Sequence, residues 1–221
     1  YFWPPNNQDP NQSVVEATRY DVAFQIINKD NIVIEDLSIA HYDIDGLRYN
    51  YGDNYLFRNL SIVGIGSAAI NVRKSTNGRI LKNEIVNNIR DGIQVRTSEN
   101  IDIIGNLVEN TATLGSPKNS FAAINAVGKA YTINNNVVRN AAYIGIRYGF
   151  DSEIKNNIVE NVCLVLDDCG GIHVWNQQTP DIPSNTQVIG NIIINAYGNP
   201  EGRPPAPTLA AGIYLDDLSS F

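Results

Sequence analysis

The sequence predicts an all-β fold, a parallel β-helix solenoid of about eight coils, and three observations carry that reading. The first is a five-residue segment that keeps returning. Gly92-Ile93-Gln94-Val95-Arg96 recurs as Gly46–Asn50, Ala69–Arg73, Ala123–Val127, Gly145–Gly149, Gly171–Trp175 and Gly212–Asp216, with a looser copy at Ala23–Ile27. The first four starts, 23, 46, 69 and 92, lie 23 residues apart, and the later intervals are 31, 22, 26 and 41. A fixed period with occasional insertions marks a solenoid, whose repeats stack only on their neighbours. The second observation is the pattern inside each copy. Its second and fourth residues are apolar and its third and fifth mostly polar, the period of two of a strand with one face in a core. The third is a pair of asparagine columns in register through the insertions. One is Asn83, Asn106, Asn136, Asn157 and Asn191, with Leu37 and Leu60 ahead of it; the other is Asn87, Asn110, Asn140, Asn161 and Asn195. Stacked Asn side chains can bond amide to carbonyl up a column, which satisfies polar groups at a buried turn.

The elements follow in order. Residues 1–22, with Trp3-Pro4-Pro5 and Asp9-Pro10, read as an irregular entry segment, since proline suits an edge or a loop and not a central strand. Residues 23–221 read as one β-helix domain. After each repeat a second strand is expected, at Asn31–Ile39, Tyr55–Ile62, Arg79–Val86, Ile101–Val108, Tyr131–Val138, Glu153–Val159 and Gln187–Ile194. None of the intervening segments has the 3.6-residue period of an amphipathic helix, which argues against helical and leucine-rich repeats. Longer loops are expected at Glu109–Phe121, Cys163–Cys169, Gln177–Ser184 and Ala196–Ala211, crowded toward the C-terminal coils. Loops on a rigid scaffold are where binding and chemistry concentrate. The chain opens on Tyr1 without a signal peptide and stops at Phe221 just after a strand, as expected of a piece of a longer chain.

Composition narrows the partners. A net charge of −7 disfavours nucleic acid and anionic membrane surfaces, and no run of 18 apolar residues is present to form a transmembrane helix. The two cysteines, Cys163 and Cys169, could form a local disulfide, which fits an extracellular or cell-surface protein; two small buried thiols fit the spacing equally well.

The third and fifth residues of each repeat form the outward ladder. It runs through Arg48 and Asn50, Asn71 and Arg73, Gln94 and Arg96, then Asn125 and Val127. Arg147 and Gly149, His173 and Trp175, and Tyr214 and Asp216 complete it. Such a strip suits a poly- or oligosaccharide. Sugar rings stack on Trp175 and Tyr214, amides bond hydroxyls, and Arg73, Arg96 and Arg147 can fork onto carboxylates. Asp167 and Asp168 directly precede the strand carrying His173, and Asp216 and Asp217 end the equivalent strand one coil on. Glycoside hydrolysis needs two carboxyl groups flanking the bond, and backbones on adjacent coils lie about 4.8 Å apart. Asp-Asp pairs also form turns at strand ends. A histidine on such a strand is more often a surface hydrogen-bonder than a catalyst, and its place between the two acid clusters is what singles out His173.

Two stretches carry a resemblance. Asp168-Cys169-Gly170-Gly171-Ile172-His173 is similar to an Asp-x-Gly-Ala-Ile-Tyr motif, departing from it at Gly171 and His173. Ile213 to Ser220 is similar to a Tyr-Leu-Asp-Asp-x-x-Ser motif. On these residues the chain resembles the right-handed parallel β-helix, pectate-lyase-like carbohydrate-active proteins, glycoside hydrolases such as family 141 among them. The resemblance implies Asp168 with Asp216 or Asp217 as the acid pair. The expectation is a secreted polysaccharide-cleaving hydrolase needing no cofactor, in which His173 orients the acids and Trp175, Tyr214, Arg147, Arg96 and Arg73 hold sugar. The alternatives are a uronan lyase or epimerase, for which calcium is a possible cofactor, and a non-catalytic glycan-binding or structural β-helix. Asp-rich turns such as Asp43 to Asp45 could serve calcium, but no loop has a convincing ligand spacing.

Overall fold

The computed structural model of the chain describes residues 18–111, 121–175, 184–201 and 207–216. Every repeat becomes a strand: Val22–Ile27, Asp45–Asn50, Ile70–Arg73, Ile93–Ile104, Ala122–Asn134, Ile144–Phe150, Cys169–Val174 and Ala210–Leu215. These eight strands, which number the coils one to eight below, pair in that order and always in parallel. All described elements are strands, and the chain winds as a right-handed parallel β-helix. Pairing keeps equivalent residues one above another. Gln25, Arg48, Asn71, Gln94, Asn125, Arg147, His173 and Tyr214 are each the register partner of the next.

The alternating pattern explains the core. Leu47, Ile70, Ile93, Ile124, Ile146 and Ile172 stack inward and are fully buried, each side chain contributing about 1.5–3 kcal/mol by leaving water. Near the first coils the stack widens into aromatics, with the Tyr49, Tyr55 and Phe57 rings 4.6–5.6 Å apart between centroids. Of the expected entry segment, residues 1–17 lie outside the described residues. So do most of the loops expected at Glu109–Phe121 and Gln177–Ser184 and the proline-rich part of Ala196–Ala211.

One expectation needs correcting. The second strand of each coil is not a single segment such as Tyr55–Ile62 but two, Asp53–Arg58 and Ser61–Val63. The next coil divides likewise into Thr76–Leu81 and Glu84–Asn88. The reason is a corner made by one left-handed residue: Asn59, Lys82, Gly105, Asn135, Asn156 and Gly190 all have φ between 51 and 70°. Asn and Gly tolerate that conformation best. Immediately after the corner sits the first asparagine column. Asn106 Nδ2 donates to Asn136 Oδ1 at 3.0 Å and to the Ile80 carbonyl at 3.0 Å, while Asn106 Oδ1 accepts from the Asn83 backbone and side chain. Asn136 and Asn157 repeat this arrangement, and Asn83 repeats its two donations. The second column also forms, each Nδ2 reaching the Oδ1 below at 3.0–3.3 Å. Its members are themselves left-handed, with φ of 54–59°, so this column marks the next corner of the coil. Between the two columns run the short strands from Ser38–Ala40 to Ile192–Ala196, which form the second, seven-stranded sheet and carry the second column near their ends.

Candidate functional site

Register brings the C-terminal candidates together. Arg147, His173 and Tyr214 are successive partners on three adjacent strands. His173 Nε2 lies 3.4 Å from Asp216 Oδ2, and the imidazole meets the Tyr214 ring edge-to-face at 5.3 Å. The Tyr214 hydroxyl donates to Asp168 Oδ1 at 3.1 Å. The two acids therefore reach the same His–Tyr pair from consecutive coils. Asp168 takes a left-handed conformation, φ 60°, at the end of the loop closed by the Cys163–Cys169 disulfide, whose Cα atoms are 6.0 Å apart. That bond resolves the choice the spacing left open. Gly171, where the related motif has Ala, is also explained: a Cβ there would fall 2.5 Å from Ile193 Cγ2 and 2.8 Å from the Gly212 carbonyl.

The electrostatics follow from burial. His173 is only 4% exposed and its Nδ1 has no hydrogen-bond partner. Burial pushes its pKa down and the Arg147 charge pushes it further, with Asp216 opposing, so the ring is held toward its neutral form. Arg147 is itself lowered, first by burial and then by Arg96 two coils away. Tyr143 donates its hydroxyl to the Asp168 carbonyl at 2.7 Å, and burial followed by the Asp168 charge raises its pKa.

Some candidates are placed differently from expectation. The outward ladder is not uniformly solvated, since Asn71, Gln94, Asn125 and His173 are buried. In-register neighbours above and below enclose these shorter side chains, and Tyr214 leans on the His173 ring. Trp175 is half-buried, and Arg147 lies over its ring at 5.8 Å from the centroid. Arg73 and Arg96 are register partners of each other on coils three and four, away from the acid pair. Asp217 lies outside the described residues.

Several polar residues were missed in the sequence. Tyr143 is one; its place in the turn before a repeat gives no signal in one chain. Asp91 is another, and Asp45 stands out in the sequence only as part of a calcium turn. Both are buried carboxylates just before a repeat, two coils apart, and that doubled 23-residue spacing was the available clue. Asp45 accepts from Arg48 Nε at 2.6 Å, Asn71 Nδ2 at 2.9 Å and the Ala68 backbone. Its oxygens are thereby spent on the ladder, which leaves the Asp43–Asp45 turn poorly suited to calcium. Asp91 accepts from Gln94 Nε2, Asn125 Nδ2 and the Ala122 backbone, yet burial still outweighs these bonds and raises its pKa. Among the described residues, no three His, Cys, Asp or Glu side chains are grouped to hold a metal ion.

Residues 16–193 match the family described as right handed beta helix region, and the chain belongs to it. No curated protein sequence matches the chain. Among solved structures it is similar to the enzymatically active domain of tailspike protein 2 from bacteriophage CBA120, with a TM-score of 0.64 and 16% identity over 84% of this chain. It is also similar to an alginate lyase from Paenibacillus sp. strain FPU-7, with a TM-score of 0.52 and 16% identity over 90% of this chain. The match spans 27% of the tailspike chain and 76% of the lyase chain. At that identity the likeness is one of fold.

Proposed function

We propose that the protein acts on a polysaccharide and cleaves it by hydrolysis. The observation that carries this reading is the convergence of two carboxyl groups from consecutive coils, Asp168 and Asp216, on the buried His173–Tyr214 pair. Hydrolysis needs one carboxyl to protonate the departing glycosidic oxygen and a second, as carboxylate, to attack the anomeric carbon or to take a proton from water. We assign the proton-carrying role to Asp216, 3.4 Å from the His173 imidazole. Asp168, already accepting from the Tyr214 hydroxyl, suits the carboxylate role. The likeness in fold to a tailspike's enzymatically active domain and to an alginate lyase supports a glycan substrate. The disulfide supports an extracellular or cell-surface location.

A second reading rests on a different observation. A neutral His173 next to Arg147 is also a base beside a charge that can bind a uronate carboxylate, which is the pairing that proton abstraction in a lyase or epimerase requires. Incubation with neutral and acidic glycans separates the two. Hydrolysis releases reducing ends without new absorbance, whereas elimination creates an unsaturated uronate band in the ultraviolet. Asp168→Asn and Asp216→Asn should each abolish reducing-end release. Full activity in both variants would remove the carboxylate pair from consideration.

A further inference from the structure

A polar cleft of about 220 Å³ opens on the same strand face at coils two to four, lined in part by Asp45, Arg48, Arg73, Arg90, Gln94 and Arg96. Four guanidinium groups in so small a volume repel one another, so the fold must hold them there. Three of them have a separate support. Arg48 is paired with Asp45 at 2.6 Å. Arg73 is held by neutral amides, Nε to Asn71 Oδ1 at 3.3 Å and a terminal nitrogen to Gln94 Oε1 at 3.0 Å. Arg90 lies over the ring of the buried Phe121, 5.3 Å from its centroid. Arg96 has a buried Nε with no hydrogen-bond partner. Among the described residues, no ion pair involves Arg73, Arg90 or Arg96.

Local charge then runs against the whole molecule. The four arginines, set against the buried Asp45 and Asp91, leave a positive cleft in a chain whose net charge is −7. Repulsion from the distant surface acids is screened beyond about 8 Å at physiological salt, so the near arginines decide what enters. Arginine oriented by amides and a ring face, with its charge unspent, is arranged to fork onto a planar or tetrahedral anion.

We infer that this cleft is an anion subsite, which reads carboxylate or sulfate groups on a glycan lying along coils two to eight. Rested on the polysaccharide reading above, the inference makes the substrate an acidic glycan. Arg90 and Arg73 become specificity residues, several coils of about 4.8 Å each from the acid pair.

The test measures binding, not cleavage, so that it survives failure of the hydrolytic reading. Calorimetry on the Asp216→Asn protein compares oligogalacturonate, a sulfated galactan oligomer and neutral xylo-oligosaccharide of equal length. Expected are binding of at least one acidic oligomer about tenfold or more tighter than the neutral one, a marked loss of affinity with added salt, and a tenfold loss in each of Arg73→Gln and Arg90→Gln. The acidic oligomer that responds to these substitutions identifies the anion as carboxylate or sulfate. Equal affinity for the neutral oligomer, or acidic binding untouched by both substitutions, overturns the inference. Arg90 is exposed, so its variant should fold, and circular dichroism confirms that for both.

Discussion

The corner asparagine column and the outward ladder of the repeat strand are built by the same stacking rule, and they use it in opposite ways. At the corner, Asn106, Asn136 and Asn157 each donate twice and accept twice, Asn83 donates twice and accepts from the Leu60 backbone, and the pattern simply repeats. On the outward ladder no residue type recurs for more than two successive coils, and buried nitrogens of Arg96 and His173 lack partners. A closed column of identical amides stabilises the stack and can do nothing else. Where the side chain changes from coil to coil, the same geometry instead places unlike groups about 4.8 Å apart, which is the condition for a site.

The strongest way to break this contrast is at the column. Asn106→Asp removes two donations and sets an anion against the Asn136 and Ile80 oxygens. A cost of about 3–5 kcal/mol is expected, as for other uncompensated buried charges. Asn106→Leu should cost less, because Leu60 occupies the equivalent place naturally. Urea unfolding midpoints rank the two variants, and equal midpoints would show that the column does not bear on stability. Asp216→Asn should behave in the opposite manner. Stability should hold within about 0.5 kcal/mol, while glycan cleavage falls by about 10²- to 10⁴-fold. A large stability loss here would make Asp216 part of the scaffold.

How much of this was legible in the sequence follows from the same contrast. Leu47, Ile93 and Ile146 announce the coils because the core demands an apolar residue at every repeat, and a demand that recurs leaves a period. Asn83 to Asn191 announce the corner for the same reason. The corner's geometry stayed hidden: Lys82 and Asn59 share one backbone conformation with different side chains, so each pair of short strands reads as one. His173, Asp168 and Asp216 were visible as chemistry, and strand register made their meeting predictable. The burial of His173 was not, since it depends on the Tyr214 ring leaning across it. Tyr143 and Arg90 act once each in the chain, and a residue used once leaves no pattern.

A smaller effect is expected at the loop that presents Asp168. The Cys163–Cys169 bond closes a short loop, so chain entropy alone gives a contribution of about 2–3 kcal/mol. Cys163→Ser with Cys169→Ser should lower the melting temperature by several degrees. Because Asp168 adjoins Cys169 and is held by Tyr143 and Tyr214, the double variant should also lose cleavage more than glycan binding. Unchanged activity would show that the two tyrosines position Asp168 without help from the disulfide.

The smallest expected change is a slope with pH, and it tests the proton-carrying couple directly. Folding lowers the pKa of His173, chiefly through burial and then through Arg147. The unfolded chain therefore takes up a proton as pH falls through about 6.5, the ordinary histidine value, while the folded protein still declines it. Stability should fall on that descent, by at most about 1.4 kcal/mol per pH unit for a single proton, and should level once the folded ring is protonated as well. His173→Gln should remove that part of the slope while most carboxylate contributions stay common to both proteins. The difference in unfolding free energy between wild type and H173Q, measured from pH 7.5 to 5, isolates it. A difference of the opposite sign, with wild type gaining stability toward pH 5, would mean that Asp216 outweighs burial and Arg147. The couple would then be an imidazolium–carboxylate ion pair, and Asp216 could not be the carboxyl that delivers the proton.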